Sequence, residues 1–84
     1  MIGVMLTSYI RAAMRRAKYE ILPDDNSFYG HIPGFDGLYA NAQTLERCRE
    51  ELEDTLEDWI LLGISEHHAL PVVDGIDLTI KEIA

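Results

Sequence analysis

The sequence predicts one small α/β (α+β) domain with the element order α-β-β-β-α-β, and three observations support this fold class. Apolar residues recur at spacings of three and four in two long segments, which is typical of amphipathic helices. Between them, three short apolar and aromatic segments are separated by turns rich in Pro, Gly, Asp and Asn. The last segment alternates apolar with polar residues, as half-buried strands do. The 84 residues suffice for a single domain, whose small core would favour oligomerisation.

The first helix is predicted over about Met5–Ala17. Its apolar stripe consists of Leu6, Tyr9, Ile10, Ala13, Met14 and Ala17. The basic residues of the segment fall on the other side of the helix. We therefore divide the single domain into a basic amphipathic helix over 1–18 and a sheet-and-helix body over 19–84.

Three short strands are predicted at Tyr19–Leu22, Phe28–Ile32 and Leu38–Ala42. Residues 23–27 and 33–37 separate them and contain the Pro, Gly, Asp and Asn that tight turns favour. Such short connections predict an antiparallel meander.

The second helix is predicted over about Leu45–Leu62, with Thr44 as its N-cap. Gly63 is predicted to end it. Cys48 and Trp59 lie on its apolar stripe and are expected in the core. The stripe consists of Leu45, Cys48, Leu52, Thr55, Leu56, Trp59 and Ile60.

The last strand is predicted from the alternation of Ile76, Leu78 and Ile80 with polar residues. A right-handed crossover through the second helix would place this strand parallel to the first and beside it. The predicted sheet is therefore four-stranded and mixed, of order 3-2-1-4, with the helices packed on one face.

Charge is distributed unevenly along the chain, whose formal net charge is −8. Residues 1–18 carry four cations and no acid, whereas residues 19–84 carry three cations and 15 acids. An acidic body repels phosphate backbones and attracts basic proteins, although acidity can also serve solubility alone. No apolar run approaches the roughly 18 residues of a membrane span, and Cys48 has no cysteine partner. We expect a cytoplasmic protein without membrane contact.

Two surfaces, one aromatic and one acidic, are candidates for binding a partner protein. Strand alternation places five side chains on the uncovered face of the sheet: Glu20, Tyr29, His31, Tyr39 and Asn41. Exposed aromatics among polar groups are typical of interface anchors, and self-association is an equal alternative. The second helix offers four further candidates on its acidic face: Glu50, Glu53, Asp54 and Glu57. These acids could steer a basic partner or form an ordinary solvated surface.

The first helix offers a different candidate surface, made of Arg11, Arg15 and Arg16. Arg11 and Arg15 lie one turn apart and could contact phosphates of a nucleic acid. The alternatives are a favourable interaction with the helix dipole and pairing with an acidic neighbouring subunit. No catalytic residue, metal site or cofactor is predicted: His31 lacks companions at a fixed spacing, and the adjacent His67 and His68 would diverge.

The order of these motifs resembles the HicB family, the antitoxins of HicA–HicB pairs, from Tyr19 to about Leu78. The resemblance rests on the opening Tyr19–Ile21 strand, the Asp24–Asn26 turn, the Phe28–Ile32 strand and the Pro33–Gly37 corner, then Thr44, Glu51–Leu52, Leu56–Trp59 and Leu70–Pro71. In the corner, Gly34 and Asp36 depart from the acid and the second proline that the family usually shows. Many members append a DNA-binding segment after this region; because the sequence ends at Ala84, we expect none here and do not carry over autorepressor activity.

The resemblance implies a truncated ribonuclease-H-like sheet and a function by binding rather than by catalysis. Ribonuclease-H chemistry needs several converging carboxylates, and Glu20 is the one acid on the central strands. The implied partner is a small, basic HicA-type ribonuclease, whose RNA-binding surface the acidic domain would cover, with a homodimer or homotetramer as the expected assembly. The alternatives are a nucleic-acid-binding regulator that uses the basic helix and an orphan oligomeric scaffold without a toxin.

Overall fold

The computed structural model describes residues 2–66 and 68–76, with side chains described from Leu6 onward within these ranges. It contains two helices, α1 (Ile2–Arg15) and α2 (Leu45–Ser65), and three strands, β1 (Lys18–Ile21), β2 (Phe28–His31) and β3 (Tyr39–Ala42). The three strands and both helices that the sequence predicts in this region are therefore present. Their bounds differ from the predicted ones by up to three residues.

The sheet of the described residues has three strands in the order β1-β2-β3, and both pairings are antiparallel. The prediction of a four-stranded mixed sheet of order 3-2-1-4 is wrong, and the architecture is α+β. At Val73–Ile76 the chain reverses in a tight turn, with hydrogen bonds in both directions between these two residues. Asp74 and Gly75 make the reversal with φ of 49° and 78°, as a two-residue hairpin loop requires. The rest of the predicted strand, 77–81, lies outside the described residues.

Helix α2 begins where the sequence predicts but continues past the predicted end. Thr44 has an extended backbone, and its hydroxyl accepts a hydrogen bond from the Arg47 N–H at 3.1 Å, which confirms it as the N-cap. Gly63 does not end the helix, because α2 runs to Ser65. A Cβ at Gly63 would lie 2.7 Å from the Cδ2 atom of Leu70. This glycine therefore serves close packing of the returning chain rather than helix termination.

The core lies between the sheet and the helices. Helix α2 packs over β2 and β3, and α1 packs against α2. From α2, four side chains are fully buried: Cys48, Leu52, Leu56 and Ile60. Helix α1 contributes Tyr9, Ala12 and Ala13, each with no exposed surface. The prediction that Cys48 is buried is confirmed, whereas Trp59 is half-buried and its indole N–H donates to the Asp36 carbonyl at 3.3 Å.

Candidate functional site

The face of the sheet opposite α2 carries the side chains that the sequence places there. The strand register aligns them in two rows across the sheet, Lys18–His31–Tyr39 and Glu20–Tyr29–Asn41. Successive side chains of a strand point to opposite faces, so these six share one face. We call this group the open face. No described element covers it. The strand register places Glu20, Tyr29, His31, Tyr39 and Asn41 on one face, as the sequence predicts; their role in binding a partner stays a prediction.

An aromatic cluster forms the centre of the open face. The rings of Tyr29 and Tyr39 stack with centroids 5.9 Å apart and an interplanar angle of 23°. The His31 ring lies 5.8 Å from Tyr29. Tyr39 is a large hydrophobic residue, yet 58% of its surface is exposed. Such a rigid, amphipathic patch is the kind of surface that anchors protein interfaces.

The Tyr29–Tyr39 cluster borders an open depression of about 270 Å³, formed with the turn at 32–38. The turn holds its shape through Gly34 and Gly37, whose φ angles are 89° and 78°, and through the buried Phe35. Positive φ favours glycine over any L side chain. The depression is therefore preformed, but its volume suits one or two side chains of a partner rather than a cofactor.

Asn41 has a structural role that the sequence did not indicate. Its amide donates to the Ser27 hydroxyl and to the Phe28 carbonyl, both at 2.8 Å. Ser27 is fully buried, and its backbone N–H donates to the Asp25 carboxylate at 3.0 Å. Hydrogen bonds from the Ser27 side chain and from its backbone N–H lower the pKa of Asp25. Asn41 therefore fixes the β1–β2 turn against β3, and its amide N–H groups are engaged within the fold.

His31 has one ring nitrogen, Nδ1, that is buried and lacks a hydrogen-bond partner among the described residues. The ring as a whole is partly exposed. No described acid, Ser or Cys lies in hydrogen-bond contact with it, so the general-base arrangement of a catalytic histidine is not formed by those residues. An unsatisfied buried nitrogen is a cost that a partner's donor or a water could remove.

The four acidic candidates on α2 lie on a different side of the molecule. Because α2 covers one face of the sheet, its exposed side points away from the open face. Glu53, Asp54 and Glu57 are exposed there, while Glu50 is engaged with Arg47, 3.7 Å away. The nine predicted partner-binding residues therefore form two opposite surfaces and not one.

The three predicted basic residues, Arg11, Arg15 and Arg16, contribute to two features, and Arg15 belongs to both. Arg16 forms an ion pair with Asp74 at 2.6 Å, and Arg15 lies 3.5 Å from the same carboxylate. The Arg16 guanidinium lowers the pKa of Asp74. Arg11 and Arg15 instead border a cavity of about 560 Å³ together with Arg49 from α2. Arg49 is not among the residues that the sequence predicts here, because its proximity to α1 depends on how the helices pack.

Within residues 2–66 and 68–76, no group of three or more His, Cys, Asp and Glu side chains is arranged to hold a metal ion. His68 contacts Glu66 at 3.4 Å, and the neighbouring His67 lies outside the described residues. Neither of the two described helices has the length and apolar character of a membrane span.

Comparisons with known proteins give the family of this chain. It is similar to the crystal structure of TTHA0281 from Thermus thermophilus, with 33% identity, a TM-score of 0.85, and coverage of 93% of this chain and 96% of that chain. A search of curated proteins found no match. A family model described as UPF0150-like matches residues 8–71, which include both helices for most of their length and all three strands. The chain therefore belongs to the UPF0150-like family.

Proposed function

We propose that this chain is a HicB-like antitoxin that acts in the cytoplasm. It binds a small, basic HicA-type ribonuclease toxin and neutralises it by covering the surface that holds RNA. The motif resemblance between Tyr19 and Leu78 supports this function. The UPF0150-like family supplies the fold but no activity, so the function is argued from the surfaces of the molecule.

The observation that carries the proposal is the open face, an uncovered sheet surface with stacked tyrosines at its centre. Tyr29 and Tyr39 lie 5.9 Å apart, and Tyr39 is more than half exposed. Two aromatic anchors beside a preformed depression suit the central contact of a protein interface. The polar neighbours Lys18, Glu20 and His31 would form its rim.

The charge of the chain supports a basic partner. With a net charge of −8, the molecule attracts a basic protein over long distances and repels RNA. The exposed acids of α2 lie opposite the open face, so they contribute mainly to steering and not to direct contact. Complementary charge of this kind chiefly raises the association rate, and the effect weakens with salt.

The test is a binding and inhibition experiment with the product of the neighbouring gene. Both proteins are purified, their affinity is measured by calorimetry, and RNA cleavage by the partner is followed with and without this chain. The proposal expects stoichiometric binding that suppresses cleavage. If the partner neither binds nor loses activity, the antitoxin function is wrong, and an orphan oligomeric scaffold becomes the better interpretation.

The variant Y29A/Y39A locates the binding surface. Because truncating an interface anchor typically costs about 2 kcal/mol or more, we expect affinity to fall by at least about 30-fold. The matched control is L61A/L62A, since Leu61 and Leu62 are each as exposed as Tyr39, at 58%, but lie on α2. Equal losses in both variants would refute the assignment to the open face. Sedimentation of the pure variants shows whether the same face also holds two copies together.

A further inference from the structure

A second concave surface lies on the other side of the sheet, between α1, β1 and the start of α2. Its cavity of about 560 Å³ is bordered by three arginines, Arg11 and Arg15 of α1 and Arg49 of α2. Glu53 is the one carboxylate among its lining residues. We call this cavity the arginine cleft. Its lining has a net charge of +2 within a chain whose net charge is −8, so its sign is opposite to that of the molecule.

The guanidinium groups of the arginine cleft are largely unused within the fold. Neither Arg11 nor Arg49 forms an ion pair or side-chain hydrogen bond with any described residue. Arg15 makes one long contact of 3.5 Å with Asp74, whose carboxylate is already bound by Arg16 at 2.6 Å. By contrast, Arg47 on the same helix contacts Glu50 and Glu51 at 3.7 and 3.3 Å. The chain thus has acids available to pair with arginines, and the cleft arginines remain free to bind an external anion.

The inner wall of the cleft combines a phenol with apolar side chains. Tyr19 is half-buried there, beside Met14, Ala17 and Leu45. Its ring lies against Gly30, where a Cβ would approach to 2.8 Å. Burial raises the pKa of Tyr19, although Arg49 opposes that shift. The hydroxyl is therefore protonated at neutral pH and available as a donor.

The partial charges of the helix ends that border the cleft do not decide the sign of its electrostatic potential. Leu45 is in the first turn of α2, which carries partial positive charge, and Arg15 is in the last turn of α1, which carries partial negative charge. The two contributions oppose each other. The positive potential of the cleft therefore comes from its three guanidinium groups, which bind oxyanions through paired N–H donors.

We propose that the arginine cleft binds the phosphate groups of a phosphorylated small molecule, with the organic part of the ligand against Tyr19, Met14 and Leu45. The volume lies within the usual range for small-molecule sites. A small ligand fits the charge pattern better than a nucleic acid does. Glu53 lies in the cleft itself, and a long polyanion that extends beyond the cleft would meet a chain of net charge −8, which repels it. This site is independent of the antitoxin proposal, because it does not involve the open face.

The test is a titration of the full chain with inorganic pyrophosphate at low salt, followed by amide and arginine side-chain NMR resonances. We expect saturable shifts at Arg11, Arg15 and Arg49. In R11Q/R49Q the affinity should fall at least about tenfold, since two charge-assisted contacts are lost. The matched control R47Q removes the same charge from α2 outside the cleft and should change affinity by less than about twofold.

Three results would overturn the proposal. They are the absence of saturable binding up to about 10 mM pyrophosphate, an equal loss of affinity in R47Q, and tighter binding of a single-stranded 20-mer RNA than of ADP. Tighter binding of ADP than of pyrophosphate would support the apolar wall as part of the site. Circular dichroism checks the fold of the variants. If R11Q/R49Q does not fold, a competition experiment on the natural chain replaces it. Sulfate should then displace pyrophosphate more strongly than chloride does at equal ionic strength. If it does not, the proposal is wrong.

Discussion

The substitution G30A adds one methyl group at a tightly packed position, and its effect on stability tests the packing of the core. Gly30 lies in the middle of β2, paired with Tyr19 on one side and Ala40 on the other. A Cβ at this position would lie 2.8 and 2.9 Å from the Cε1 and Cδ1 atoms of Tyr19 and 3.1 Å from the Cys48 sulfur. Cys48 is fully buried and Tyr19 is packed against the core, so neither can move away freely. We therefore predict that G30A destabilises the protein.

The magnitude follows from two opposing effects. Overpacking a well-filled core costs about 1–3 kcal/mol. Replacing glycine with alanine inside a strand returns about 0.5–1 kcal/mol of backbone entropy. Because a Cβ at 2.8 Å is closer than real Cβ atoms come to other atoms, the packing cost should lie in the upper part of this range, about 2–3 kcal/mol. We therefore expect a net loss of about 1–2.5 kcal/mol in the free energy of unfolding, and each kcal/mol lowers the melting temperature of a domain this size by roughly 4–8 °C.

Urea denaturation followed by circular dichroism measures this loss, and a double-mutant cycle identifies its cause. In a Y19A background the ring is gone, so G30A should cost less than about 0.5 kcal/mol. The matched control is G34A, whose Cβ meets no atom within 4 Å but whose φ of +89° disfavours alanine. G34A should lower the free energy of unfolding by the same amount in the natural chain and in the Y19A variant. If G30A is as stable as the natural chain, or if its cost does not depend on Tyr19, the packing argument is wrong.

Three further predictions concern single contacts. T44A removes the hydroxyl that accepts from Arg47 and should lower stability by about 1 kcal/mol in urea denaturation, whereas T44S should not. R16Q should raise the pKa of Asp74, which Arg16 depresses, and carbon-detected NMR titration measures it. A depressed carboxyl pKa gives stability that is lost as the pH falls through that pKa. R16Q should therefore weaken the dependence of the free energy of unfolding on pH in the acid range. If that dependence is the same in R16Q and in the natural chain, the Arg16–Asp74 pairing is contradicted. Burial raises the pKa of the Cys48 thiol, so alkylation by iodoacetamide should be slow in the native protein and fast in urea, and rapid native labelling would contradict its burial.

Local signals predicted the individual helices and strands of the described residues correctly, although not the sheet they form. Thr44 caps α2 because a side-chain oxygen before an apolar helix satisfies a free N–H, a relation that spans three residues. Tyr29 and His31 share the open face because side-chain alternation within a strand is a local property. Cys48 is buried because the helical period places it on the apolar stripe. Each of these predictions needed only a few neighbouring residues.

The errors concern contacts and turns that the residue pattern of a single element does not show. Gly63 has the usual residue type of a helix end, but its place in α2 is set by Leu70, which packs over it. Alternation from Ile76 onward suggested a fourth strand beside β1, whereas Ile76 pairs with Val73 across the reversal at Asp74–Gly75. The arginine cleft combines residues 11, 15 and 49, and no spacing rule brings these together. A pattern on one element cannot show what the opposite element contributes.

The small size of the domain explains why its two candidate surfaces are distinct. A sheet of three strands has two faces, and α2 must cover one of them to build a core. The uncovered face then carries aromatic side chains that the core cannot accommodate, and Tyr39 remains mostly exposed. Because α1 packs on α2 and not over the open face, the arginines of α1 meet Arg49 on the covered side. A protein partner and a small anion would therefore occupy opposite sides of the sheet, and loss of one binding activity should leave the other intact.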